Sequence, residues 1–244
     1  MAYDLDAPAA DRTPALVLWD VDHTLVSIGG GVSRTIYAHA FEHVTGRPLG
    51  SLADMNGRTE QAIMVETLRL NGVEQPETLY DNFYAALADA AHQLAGRMRE
   101  VGEDLPGARE ALAAFAKQGV VQSAVTGNIR PIAETKLTAL DLAEHLDFAV
   151  GGYGDDGSDR ADLVRQARAR ATTKYGRPFP DGHVIVIGDT PHDIYGAHDA
   201  NAVAVGVATG RSSFDELTSA GADVVLRSLT EHSAIEQLLV DAGA

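Results

Sequence analysis

A chain of 244 residues, 45% hydrophobic and 22% charged, can bury a full core and is too ordinary in composition for wholesale disorder. Its 35 acids against 19 Lys plus Arg give a formal net charge of −16, which argues against a general nucleic-acid or anionic-membrane binder, since either needs a basic face. The absence of cysteine excludes a disulfide framework, a thiol nucleophile and a thiolate metal site.

Residues 1–14 are polar, acidic and Ala/Pro-rich, without the basic and apolar regions of a signal peptide, and read as a flexible tail. No apolar run approaches the length of a membrane span, so the expectation is a soluble, cytoplasmic protein with no membrane partner. The run Ala15-Leu16-Val17-Leu18 then closes on Trp19-Asp20-Val21-Asp22-His23-Thr24-Leu25, a buried strand that delivers two acids at its C-terminal end. Side chains alternate along a strand, so Asp20 and Asp22 face one way and Val21 the other.

The stretch Ser27-Ile28-Gly29-Gly30-Gly31 reads as a flexible connector. Helices are expected over 32–45, ended by Gly46-Arg47-Pro48, over 59–70, stopped by Asn71-Gly72, and over 77–99. With no strand expected over 32–101, these helices form a block inserted after one strand, and residues 102–107 return the chain. The expected division is a tail at 1–14, a core at 15–27 and 106–244, and a helical cap at 28–105. Beyond residue 107 the pattern alternates: helix 108–118, strand 120–125 ending in Thr126-Gly127-Asn128, helix 131–140, strand 148–150 and helix 161–174. Strand 184–187 then runs into Gly188-Asp189-Thr190-Pro191-His192-Asp193, followed by a helix and strands 203–207 and 224–226. Repeated βα units mean α/β class, a mainly parallel sheet covered by helices on both faces.

Three strands therefore end in polar motifs: Asp20/Asp22, Thr126-Gly127-Asn128 and Asp189/Asp193. In a parallel sheet these ends share one edge, the edge where ligands bind, and neighbouring strands would bring the motifs into one crevice. Asp20 and Asp189 offer the oxygen ligands that a hard cation such as Mg²⁺ takes.

These residues resemble a known family. Asp20-x-Asp22-x-Thr24, Thr126 at a strand end and Gly188-Asp189-x-x-x-Asp193 look like motifs I, II and IV of the haloacid dehalogenase superfamily, over about Ala15 to Leu226. The inserted helices resemble the cap of its phosphoglycolate phosphatase and β-phosphoglucomutase branch. The resemblance implies a Rossmann-like, doubly wound parallel core, Mg²⁺ dependence and, most often, hydrolysis of a small-molecule phosphomonoester. A divalent cation would neutralise the repulsion between carboxylate and phosphate, and an aspartyl-phosphate at Asp20 would split the reaction into two steps. Asp22 would give its backbone carbonyl to the metal and use its side chain as general acid, then base. Asp193 would orient the metal shell. Thr126 and the Gly127 amide would hold phosphoryl oxygens at a helix N-terminus, with Asn128 as a further donor; by itself Thr126 also reads as a helix N-cap.

The family's motif III lysine has no obvious counterpart. The three lysines are Lys117, Lys136 and Lys174, and none matches the usual position, whereas Arg160 before a helix does, and it is expected to offset the acid cluster. The cap holds no lysine for a phosphonoacetaldehyde hydrolase-type Schiff base, and Asp22 departs from a dehalogenase. In Asn56-Gly57-Arg58-Thr59, Arg58 either binds a second anionic group on the substrate or stands solvated beside a Thr cap. His39 and His43 are four apart on one helix but lack a third ligand, while His23 and His192 read as peripheral. A sugar phosphomutase, and a ligand-binding protein on a retained scaffold, are the alternative functions; oligomeric state is not legible.

Overall fold

The computed structural model describes residues 15–55 and 57–241; the tail expected over 1–14, and Asn56, lie outside them. Strand β1 (Leu16–Trp19) is flanked by β4 (Val121–Ala124) and β5 (Val184–Gly188), and the sheet continues through β6 (Val203–Val207) and β7 (Val224–Leu226). The order is β4-β1-β5-β6-β7 with every pairing parallel. The chain leaves β1 toward β4 and returns on the other side at β5. The carboxyl ends around β1 thus form the crevice at a topological switch point.

The period of the strand decides which face each side chain serves. Val17 and Trp19 enter a core with Leu112 and Phe115 of α5 (Ala108–Lys117), Leu137 of α6 (Arg130–Ala139) and Ile235 of α10 (Ser233–Asp241). Leu16 and Leu18 enter the opposite one, against Leu163 and Val164 of α7 (Arg160–Tyr175), Ile194 of α8 (Pro191–Asp199) and Leu217 of α9 (Phe214–Ser219). Trp19 stacks on Phe115 at 5.7 Å between ring centroids and donates its indole N–H to Gln122 at 3.1 Å, so its one polar atom is satisfied.

A third core belongs to the inserted helices α1 (Val32–Thr45), α2 (Glu60–Leu70), α3 (Tyr80–Gln93) and α4 (Ala95–Val101). Ile36, Tyr37, Phe41, Met64, Leu68, Phe83 and Leu87 fill it, and Ile129, Ile132 and Ala139 come up to it from around α6. Helix α6 therefore serves two cores: Ile132 and Ala139 face the helices while Ala133 and Leu137 face the sheet.

Several local expectations are revised. The single helix expected over 77–99 is a 3₁₀ turn (Pro76–Leu79) followed by α3 and α4, broken at Leu94. Phe148-Ala149-Val150 is a 3₁₀ turn, not a strand, because the Asp147 carboxylate accepts the Ala149 amide and tightens the chain. The connector and the return segment are also more ordered than expected. Val26–Ile28 (β2) and Gly102–Asp104 (β3) pair as an antiparallel ribbon, with Ser27 opposite Glu103. Among the described residues no helix is long and apolar enough to cross a membrane.

Candidate active site

The ends of β1, β4 and β5 open into one cavity of about 180 Å³, below the roughly 300–1,000 Å³ of pockets for drug-sized ligands. Asp20, Asp22, Arg58, Glu60, Thr126, Gly127, Asn128, Lys136, Arg160 and Asp189 line it. Every site residue expected from the sequence except Asp193 is in that lining, and Asp193 stands directly behind it.

One wall is acidic. Strand β1 ends at Trp19, and Asp20 follows it, 6% exposed, with its amide still held by the Ile187 carbonyl of β5. Asp189 follows β5, and Asp193 is the third residue of α8, where its carboxylate completes a capping box with Thr190. The oxygens of Asp20, Asp189 and Asp193 lie within 4.8 Å of one another, and all three residues are buried. Gly210 closes over them: a Cβ there would stand 1.7 Å from Asp189 Oδ2.

Arg160, the first residue of α7, reaches into this wall. Its guanidinium lies 2.7 Å from Asp193 Oδ1 and 3.4 Å from Asp20 Oδ1. One cation faces three acids, and the acids respond. Burial above all, then the Asp193 carboxylate, push Asp20 well above the usual carboxylate range against the pull of Arg160. Burial and Asp193 raise Asp189 likewise. Buried, oxygen-only donors with surplus negative charge are what a hard divalent cation requires, so the residues fit Mg²⁺.

The other wall is made of pairs. Asp22, past the end of β1, folds back in a tight turn in which the His23 amide donates to the Val26 carbonyl at 2.7 Å and His23 takes a φ of 63°. Lys136 of α6 donates to both Asp22 oxygens at 2.8 and 2.6 Å and to Asn128 Oδ1 at 2.9 Å. Asn128 Nδ2 donates to Asp22 at 2.7 Å and to Thr126 Oγ1 at 2.9 Å. Burial raises the Asp22 carboxyl, but the Lys136 ammonium and these hydrogen bonds outweigh it and hold it below the usual range.

Lys136 is not expected at the site from the sequence, because inside the helix after Thr126 it does not match the usual place of the motif III lysine. The signal was its register: it lies on the stripe Ile132, Ala133, Lys136, Leu137, and all four are buried. Thr126 is not a helix cap, since the N-cap of α6 is Ile129; the Thr126–Asn128 loop stands clear of the helix start rather than on it.

The inserted helices touch this loop directly. The Glu60 amide donates to the Gly127 carbonyl at 2.7 Å and the Gln61 amide to the Gly154 carbonyl at 3.3 Å. A Cβ at Gly127 would meet the Arg58 carbonyl at 2.1 Å, so only glycine admits this approach. Arg58 is held at the rim, 2.5 Å from Glu66 and bonded to the Asp54 and Ala62 carbonyls. Glu60, the first residue of α2, is 3% exposed and accepts the Tyr37 hydroxyl at 2.5 Å. Burial pushes it up to about 7, against the Tyr37 hydrogen bond and the nearby Lys136.

His192 sits against Gly57, whose added Cβ would meet its ring at 2.8 Å. His39 and His43 share a separate surface cleft with Glu42 and Asp89, and they belong to no three-ligand cluster among the described residues.

The chain matches the model of the haloacid dehalogenase-like hydrolases over residues 17–198, and it belongs to that family of enzymes. It is 28% identical over 221 residues to the tyrosine-protein kinase PtkA of Mycobacterium tuberculosis, covering 87% of this chain and 69% of that protein. It is 25% identical over 219 residues to the phosphoglycolate phosphatase of Yersinia pseudotuberculosis, covering 86% and 88%. Among solved structures, a hydrolase from Pseudomonas syringae superposes with a TM-score of 0.59 at 24% identity, covering 91% and 98% of the two chains. A protein from Haemophilus somnus titled a predicted phosphoglycolate phosphatase reaches 0.61 at 19%, covering 93% and 100%, a likeness of fold.

Proposed function

We propose that this hydrolase cleaves a small phosphomonoester through an aspartyl-phosphate on Asp20, with chemistry like that of the phosphoglycolate phosphatases. The carrying observation is Asp20 itself: a buried carboxylate at the end of the central strand, sharing one cavity with a polar phosphate loop and backed by a guanidinium.

An Asp20 oxygen attacks phosphorus while the bond to the leaving alkoxide breaks. Thr126 Oγ1 and the Gly127 amide hold the phosphoryl oxygens in that displacement, with Asn128 fixing the loop beneath them. The leaving oxygen takes a proton from Asp22, which then removes one from the water that attacks the aspartyl-phosphate and frees Asp20. The Lys136 ammonium holds the Asp22 carboxyl below its usual range. The incoming phosphate dianion is a competing partner for that ammonium, and drawing it away raises Asp22 toward the protonated form the first step needs. Arg160 holds Asp20 and Asp193 in place and offsets their charge. Asp20, Asp189 and the Asp22 carbonyl would hold Mg²⁺, with Asp193 orienting them, and the bound cation would supply the charge neutralisation that lets carboxylate and phosphate approach.

The test is phosphate release from a panel of sugar, glycolate and nucleotide monophosphates, with and without EDTA. Turnover is expected only with the metal, and Asp20→Asn protein is expected to lose it. Undiminished turnover by Asp20→Asn overturns the mechanism.

One observation favours a transferase reading: the mycobacterial relative carries a kinase name. A phosphoryl group on Asp20 can pass to a hydroxyl instead of water, as it does in a phosphomutase. Product analysis separates the cases, because hydrolysis yields inorganic phosphate whereas transfer yields a phosphorylated acceptor.

A further inference from the structure

Glu60 is a charged group in the cavity that the reaction does not use. Its place is fixed from three sides: its amide is bonded to Gly127, its carboxylate accepts Tyr37, and the Ile129 amide reaches the same carboxylate. It lines the cavity shared by Asp20 and Asp22, and the charges acting on it are Lys136 and Asp22, so it belongs to the paired wall. In an in-line displacement the leaving oxygen departs opposite Asp20, beside the proton carrier Asp22. The organic part of the substrate therefore rests against the wall that contains Glu60.

A carboxylate has about four acceptor positions, and among the described residues Tyr37 and the Ile129 amide donate to this one. A hydroxyl on the leaving group satisfies the remaining capacity. A second carboxylate there is repelled, and in a space with little water that repulsion is poorly screened. The cation that might have received it, Arg58, is engaged by Glu66 and two carbonyls. Arg211, a further cation of the lining, is exposed and directly follows Gly210, the residue that packs on Asp189, so it comes from the side of the acid wall.

We infer that Glu60 selects an uncharged, hydroxyl-bearing leaving group, so that the substrates are polyol or sugar phosphomonoesters and not phosphorylated hydroxy acids such as phosphoglycolate. The inference rests on the phosphatase reading above.

The experiment compares kcat/KM for glycerol phosphate and phosphoglycolate in wild type, Glu60→Gln and Glu60→Ala. Magnesium is supplied at about pH 8, where Glu60, pushed up to about 7, is ionised. The readout is the ratio of the two values, which cancels any loss of active protein. Wild type is expected to prefer glycerol phosphate by about tenfold or more, and both variants to narrow that ratio by about tenfold, mainly through a lower KM for phosphoglycolate. Tyr37→Phe, which keeps the charge, is expected to keep the preference. Equal or better use of phosphoglycolate by wild type overturns the inference and leaves the phosphatase reading standing, as does a ratio unmoved by Glu60→Gln. No phosphate release from any ester overturns that reading and the inference with it.

Discussion

The two walls of the cavity handle charge in opposite ways. On one, Asp20, Asp189 and Asp193 share a single guanidinium, and burial leaves Asp20 and Asp189 reluctant to ionise. On the other, each acid has its own partner, Asp22 with Lys136 and Glu60 with Tyr37. The unbalanced wall is suited to a divalent cation and a phosphoryl group. The balanced wall can meet a leaving group and move a proton without importing charge.

The largest expected effect breaks the balanced wall at Asp22, the proton carrier of the proposed mechanism. Asp22→Asn removes the acid–base group and leaves Lys136 buried without an acid, and kcat should fall about 10²–10⁴-fold while the circular dichroism spectrum is retained. On the unbalanced wall, Arg160→Ala removes the guanidinium that pairs with Asp20 and Asp193. Metal-free protein should lose about 3–5 kcal/mol in denaturant titrations, and magnesium should restore part of it. Arg160→Lys should rescue incompletely, since an ammonium cannot present the guanidinium fork.

A third, smaller effect depends on pH. Glu60 rises from 4.5 to about 7 on folding, so its contribution to stability is fully present below about 4.5 and lost as pH climbs through about 7. Wild type should therefore lose about 2.5 kcal/mol relative to Glu60→Gln between pH 5 and pH 8 in EDTA. A difference that stays flat over this range would mean Glu60 ionises freely. The smallest effect is at the rim: Arg58→Ala breaks a half-exposed pair with Glu66 and should cost less than about 1 kcal/mol by thermal melting.

The same contrast separates what the sequence made legible from what it did not. The acid wall could be read because its residues are punctuation: Asp20 and Asp189 each follow an apolar strand, and Asp193 lies one turn further on. Arg160 could be placed because a helix start marks it. The balanced wall is assembled from contacts across long stretches of chain, with Lys136 114 residues from Asp22 and Glu60 23 from Tyr37. In sequence, Glu60 is an ordinary acid in a helix's first turn, where the macrodipole favours it. Only the approach of α2 to Gly127 turns it inward. The break at Leu94 and the 3₁₀ turn at Phe148 also depend on packing or on a single carboxylate, since Gly96 falls inside α4 and Gly151 follows the turn without fixing its type.

The β2–β3 ribbon has a consequence of its own. The chain departs for the inserted helices and returns from them on hydrogen-bonded neighbours, with Ile28 opposite Gly102. Closure is thus settled at the junction, and the entropy of whatever lies between grows only logarithmically with its length. The insert behaves as a cassette plugged into a two-pin socket. Evolution, or an engineer, can trade the surface that meets the leaving group while the sheet edge bearing Asp20 and Asp189 is left as it was.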